Sequence, residues 1–214
     1  WFALGIGSIG FGGFFAVYTY VAPLVTDVAG LSEQVVPWAL VGVGVGMTVG
    51  NFLGGIMADR GALRAVLQLF PPFIVAMAGL ALTASTAVTM FVFLFLVGAL
   101  ASAISPAIQT RLMDVAGESQ TLAAALNHSA LNIGNSMGAA LGAAVIARGL
   151  GYVAPSWVGV VLAVAGLALA LVSWGVARRG RDARAAVATD AVTATDAATP
   201  ADAIVEDRPA MAPP

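Results

Sequence analysis

Residues 54–64 read "GGIMADRGALR". Asp59, Arg60 and Arg64 stand close together there, with apolar runs on both sides. Of the chain's 214 residues, 60% are hydrophobic and only 9% are charged, and the mean hydropathy is +0.95. A soluble domain carries roughly 25% charged residues. The charges here are too few to cover a water-facing surface, so lipid is the solvent the chain is built for. A short charged stretch between two apolar runs is then a link between two membrane-spanning helices. The absence of Cys excludes disulfides and thiolate metal sites.

A span needs about 20 mostly apolar residues. Six segments meet this: Phe2–Val25, Val35–Ala58, Ala65–Ala84, Val88–Leu112, Leu122–Ala147 and Trp157–Ala177. Backbone groups in hydrocarbon must be satisfied within the segment, and the alternation of a barrel strand is absent, so all six are predicted to be helices. The links after the second and fourth segments hold Arg60, Arg64 and Arg111, and Arg178, Arg179, Arg181 and Arg184 follow the sixth. The other links hold only Arg148. The positive-inside rule therefore puts both ends of the chain in the cytoplasm. Residues 1–180 form the expected six-helix bundle, and 181–214, rich in Ala, Thr, Asp and Pro, a disordered cytoplasmic tail. The first segment is too long for a signal-peptide core and no basic region precedes it, so the chain reads as a piece whose preceding part is missing. Abundant Ala and Gly, with Arg as the only base, suit a GC-rich bacterial genome and hence a bacterial inner membrane.

The third and sixth segments have almost no polar side chains and can face lipid all round. The other four differ. The second carries Gly42, Gly46, Gly50 and Gly54, and the fifth carries Gly134, Gly138 and Gly142. Residues four apart share a helix face, and a glycine face lets another backbone approach closely. Polar and aromatic side chains are also aligned: Ser102, Ser105 and Gln109 on the fourth, His128, Asn132 and Asn135 on the fifth, Phe11, Phe15 and Tyr18 on the first. The second adds Thr48 and Asn51. Such groups either hydrogen-bond between helices or line a watery cavity. The cavity reading takes Tyr18, Asn51, Ser105, Gln109, His128, Asn132 and Asn135 as its candidate lining. Decorated, decorated, plain, repeated twice, is weak three-plus-three internal symmetry of the kind built into many transporters.

Apparent catalytic motifs fail on context. "GNSMG", residues 134–138, spells a nucleophile elbow but lies inside a helix, and His128 is about 12 Å along the same helix from Ser136. "GIGSIG", residues 5–10, has no preceding strand to make it a dinucleotide loop. No acid, base and nucleophile converge, so an enzyme is not expected, and no cofactor or metal is implied. Histidine changes charge near neutrality, which makes His128 a candidate for proton coupling.

The chain resembles the C-terminal six-helix half of a major facilitator superfamily transporter. That family carries a loop pattern G-x-L-A-D-R-x-G-R-R between its second and third helices and a degenerate copy between its eighth and ninth. "GIMADRGALR" matches it at Gly55, Ala58, Asp59, Arg60 and Arg64, with Met57, Ala62 and Leu63 departing from it. The run from Leu126 to Gly159 resembles the sugar- and drug-efflux subgroup that exchanges substrate for protons. The resemblance, over residues 1–180, implies an all-α bundle of two three-helix repeats, half of a twelve-helix fold, exporting a small molecule by alternating access. It also implies that Gly55, Asp59, Arg60 and Arg64 form a conformational latch. Asp59 would accept from the N-terminal amides of a neighbouring helix, where the helix dipole favours a carboxylate. The partners expected are a small-molecule substrate, the bilayer and the missing N-terminal half, with no nucleic acid. A non-transporting six-helix scaffold or assembly partner is the alternative.

Overall fold

A computed structural model describes residues 2–116 and 119–198, and every regular element among them is helical. The helices are α1 (Phe2–Tyr18), α2 (Val36–Asp59), α3 (Ala62–Thr83), α4 (Ala87–Ala116), α5 (Gln120–Ala147) and α6 (Ala154–Ala198). A short helical stretch, Val21–Val28, continues α1 at a bend of 46°. Five helices are long and apolar enough to cross a membrane, and α1 with its continuation makes a sixth span. The bend was not foreseen. Its cause is Pro23, which lacks an N–H and whose ring crowds the carbonyl four residues back, at Thr19. The α2–α3 link is only Arg60 and Gly61, and Gly61 has φ +143°, a conformation that side-chain-bearing residues rarely adopt.

The chain forms two units, residues 1–173 and 174–214. Within the first, the glycine faces make the principal seams. A Cβ on Gly46, Gly50 or Gly54 would strike the α4 backbone at Phe95, Ala99 or Ala103. A Cβ on Gly134 or Gly138 would strike α1 at Ser8 or Gly12, and one on Gly142 would strike the Tyr20 ring. Gly42 is not part of the seam, for nothing lies within 4 Å of its position. The contacts advance together along both chains, so α2 runs parallel to α4 and α5 parallel to α1. The second helix of each group of three therefore lays its glycines on the first helix of the other group. The outer helices follow the same exchange: α3 packs on α4, where Gly79 meets Phe93, and α6 packs on α1, where Gly159 meets Gly13. Two three-helix repeats are thus interlocked, not set side by side. In lipid, where apolar helices gain nothing by leaving solvent, close backbone packing of this kind supplies much of the association.

One expectation is corrected. α3 does not face lipid all round: half of its most apolar stretch is buried, against 22% for α2 and for α5. Phe70, Phe73, Met77 and Leu80 are fully buried. The Phe70 ring fills the space left by Gly10 and Gly166, and the Met77 thioether fills that left by Gly159. A plain apolar surface packs against protein as readily as against lipid, so lack of polar groups does not identify an outer helix.

In the second unit the helix continues to Ala198, past the point where the tail was expected to lose structure; residues 199–214 lie outside the described residues. Alanine, the best helix former, makes up much of that stretch. The Arg178 guanidinium lies 4.5 Å from the centre of the Trp174 ring.

Candidate substrate face

The bend places the candidate site. Phe11, Phe14, Phe15 and Tyr18 form a ladder on α1, with Phe14 stacked on Tyr18 at 5.3 Å and set edge-on to Phe15 at 5.2 Å. Phe14 is buried and anchors the ladder, while Tyr18 is partly exposed at its end. One residue into the break, the Tyr20 hydroxyl donates to the Ala139 carbonyl of α5 at 2.8 Å. This contact and the ring seated over Gly142 pin the break to α5. A cavity of about 370 Å³ results, lined by Phe15, Tyr18 and Thr19 of the first span, Val36 and Leu40 of α2, and Asn135 of α5. Two of the seven predicted lining residues, Tyr18 and Asn135, meet in it.

The other five are placed separately. Asn51, Gln109, His128 and Asn132 are exposed on their helices and Ser105 is half-buried; none of them lines this cavity. Ser102, one turn before Ser105, is buried. Asn127, adjacent to His128, is buried as well, and its position on the seam side of α5 gave no signal in a pattern of exposed-face polar residues. Hydroxyls that face lipid or the open side satisfy themselves locally. Thr48 donates to Gly44, Ser129 to Ala125 and Thr83 to Gly79, each four residues back on its own helix.

A second cavity, of about 440 Å³, adjoins the first through Ala22 and Val36, which line both. Its wall carries Thr26, Asp27 and Glu33, and the Thr26 hydroxyl donates to the Asp27 carboxylate at 2.7 Å. Sequence spacing assigned these acids to a link and not to a cavity wall. An uncharged aromatic and amide pocket thus opens beside an acidic one.

At the opposite end of α2, Gly55 is half-buried and Asp59, Arg60 and Arg64 are exposed. Among the described residues, none of the three charged side chains makes a hydrogen bond within the bundle.

The comparisons agree with this architecture. The chain is 40% identical over 168 residues to the "Inner membrane transport protein YdhP" of Escherichia coli, covering 77% of this chain and 42% of that protein. It is 31% identical over 164 residues to the "Chloramphenicol resistance protein" of Streptomyces lividans, covering 76% of this chain and 42% of the relative. It is 29% identical over 181 residues to the "Uncharacterized MFS-type transporter YtbD" of Bacillus subtilis, covering 83% and 45%. The chain spans less than half the length of these curated relatives. Relatives named as transporters group it with transport proteins and not with enzymes. The sequence pattern of the Major Facilitator Superfamily matches residues 3–205, nearly the whole of the chain, and the chain belongs to that superfamily.

Proposed function

We propose that these residues are the C-terminal six-helix half of a twelve-helix secondary transporter in a bacterial inner membrane, and that the whole protein expels a drug or a sugar in exchange for protons. The observation that carries this reading is the cavity shared by Tyr18 and Asn135. It combines a ring face, an amide and an adjacent hydroxyl in an otherwise apolar wall, which suits an uncharged or weakly polar small molecule. Relatives that include an inner-membrane transport protein and a chloramphenicol resistance protein, each more than twice as long as the matched region, support it.

Alternating access would proceed by rocking of this interlocked bundle against the other half, with substrate held between them near the midplane. Asn51, Ser105, Gln109, His128 and Asn132 would then join the cavity wall from their own helices. Asp59, with Arg60, Arg64 and Gly55, would latch the two halves in one state, its carboxylate set against a helix N-terminus of the other half. Both ends of this bundle would be cytoplasmic, as the Arg distribution implies. Among the described residues no carboxylate lies deep within a membrane span, so the main proton carrier is assigned to the other half.

The test is transport by the full-length protein in proteoliposomes with an imposed pH gradient, using chloramphenicol and a panel of sugars. Tyr18→Ala and Asn135→Ala should each lower kcat/KM by about tenfold, the equivalent of ~1.4 kcal/mol. Asp59→Asn should lower kcat at unchanged reconstitution. Wild-type rates in the two cavity variants would overturn the cavity. Absence of gradient-driven flux for every compound would overturn the efflux reading.

A further inference from the structure

A groove of about 700 Å³ runs between α5 and α6 and shares no lining residue with the candidate substrate cavity. Leu141 and Val145 of α5, Leu150 and Val153 of the link, and Trp157 and Val161 of α6 line it. Every lining side chain is apolar or aromatic. Val161 and Leu150 are more than 60% exposed. Trp157 and Tyr152 stand partly exposed near one end of the groove. Trp and Tyr favour the depth where hydrocarbon meets headgroups, so this end marks the membrane boundary.

At that end lies Arg148, exposed, between the lining residues Val145 and Leu150. From Ser119 to Ala177 it is the only Arg, Lys, Asp or Glu, so no acid within that stretch competes for it. Two helix ends also meet the boundary there. Arg148 sits at the C-terminus of α5, and α6 begins at Ala154, itself part of the groove wall. The N-terminal end of a helix favours a nearby anion. One cation and one helix N-terminus thus stand at headgroup depth above an apolar slot.

We propose that this groove is a selective site for an anionic phospholipid, with one acyl chain lying between α5 and α6 and the phosphate held at Arg148. A zwitterionic lipid can enter the same slot but carries a cationic group that Arg148 repels, so selection rests on net charge. The occupant would belong to the leaflet that contains the α5–α6 link, and it would wedge the two helices at a fixed spacing.

The experiment uses the full-length protein without other cysteines, with a single fluorophore-labelled Val161→Cys, reconstituted in phosphatidylcholine vesicles. Brominated phosphatidylglycerol and brominated phosphatidylcholine are titrated in as quenchers. Phosphatidylglycerol should associate about fivefold more strongly, the preference of one arginine for anionic lipid. The preference should fall to about one in Arg148→Gln, and at a control label on Leu82, an exposed residue of α3 near a link without basic residues, it should be about one throughout. Ala154→Phe should narrow the slot and weaken quenching by both lipids. Equal association of the two lipids at Val161, a preference that survives Arg148→Gln, or quenching unaffected by Ala154→Phe would each overturn the proposal.

Discussion

Tyr20 holds the first span where Pro23 breaks it, through a hydroxyl on the Ala139 carbonyl and a ring over Gly142. The two contacts differ in magnitude. Hydrogen bonds between membrane helices average about 0.6 kcal/mol, whereas emptying the space of a fully buried ring costs about 3–5 kcal/mol and of the half-buried Tyr20 ring a part of that. Tyr20→Phe is therefore expected to lower the thermal unfolding midpoint in detergent only slightly, and Tyr20→Ala to lower it several times more. Equal shifts for the two would assign the anchoring to the hydroxyl alone. At this scale the sequence was legible in part. Spacing of three and four correctly grouped residues onto helix faces but could not say what each face would meet. Tyr18 and Asn135 share a cavity because a bend and a hydrogen bond bring their helices together. Ser102 lies on the same face as Ser105 by spacing, yet it is buried while Gln109, two turns on, is exposed. The acids Asp27 and Glu33 join a cavity only once the chain turns back through the 3₁₀ turn Glu33–Val35.

Glycines decide the element scale, and the chain contains its own control. Gly50 and Gly42 are two turns apart on α2, but a Cβ at Gly50 would overlap the Ala99 carbonyl while Gly42 faces open space. Gly50→Ala should destabilise the bundle by about 1–3 kcal/mol through forced separation of α2 from α4. Gly42→Ala should be neutral or stabilising by up to about 1 kcal/mol, since glycine is a poor helix residue. Chemical unfolding of the two variants in detergent checks this, and a Gly50→Ala variant as stable as the parent would show that the seam relaxes freely. Glycine periodicity announced a seam but did not name its partner. The run Gly10, Gly12 and Gly13 on α1, of which only Gly10 belonged to the false dinucleotide motif, supplies the receiving surface for Phe70, α5 and α6. The burial of α3 was not readable because its packing residues, Phe70, Phe73 and Met77, look no different from lipid-facing ones.

Across the whole molecule, the parallel seams demand that α2 and α4 cross in one sense and α1 and α5 in the other, which agrees with a span at each apolar segment. The proposed direction relative to the cell rests on arginine placement. Single cysteines at Ser32 and Ser85, both exposed, should react with an impermeant maleimide from the periplasm, and one at Arg60 only after permeabilisation. Labelling of Arg60→Cys in intact cells would reverse the topology. The interlocked seams also bear on synthesis. No group of three can complete its contacts alone: the glycines of α2 wait for α4, and Ser8 and Gly12 of α1 wait for Gly134 and Gly138 of α5. At about 5–20 residues per second, α1 spends on the order of ten seconds in the bilayer before its close partner leaves the ribosome. During that interval its glycine groove is open to lipid or to the helices of other nascent chains, so a membrane insertase that shelters early spans would have its greatest effect on α1, and stalling translation before α5 should leave that helix as the exposed, protease-sensitive element.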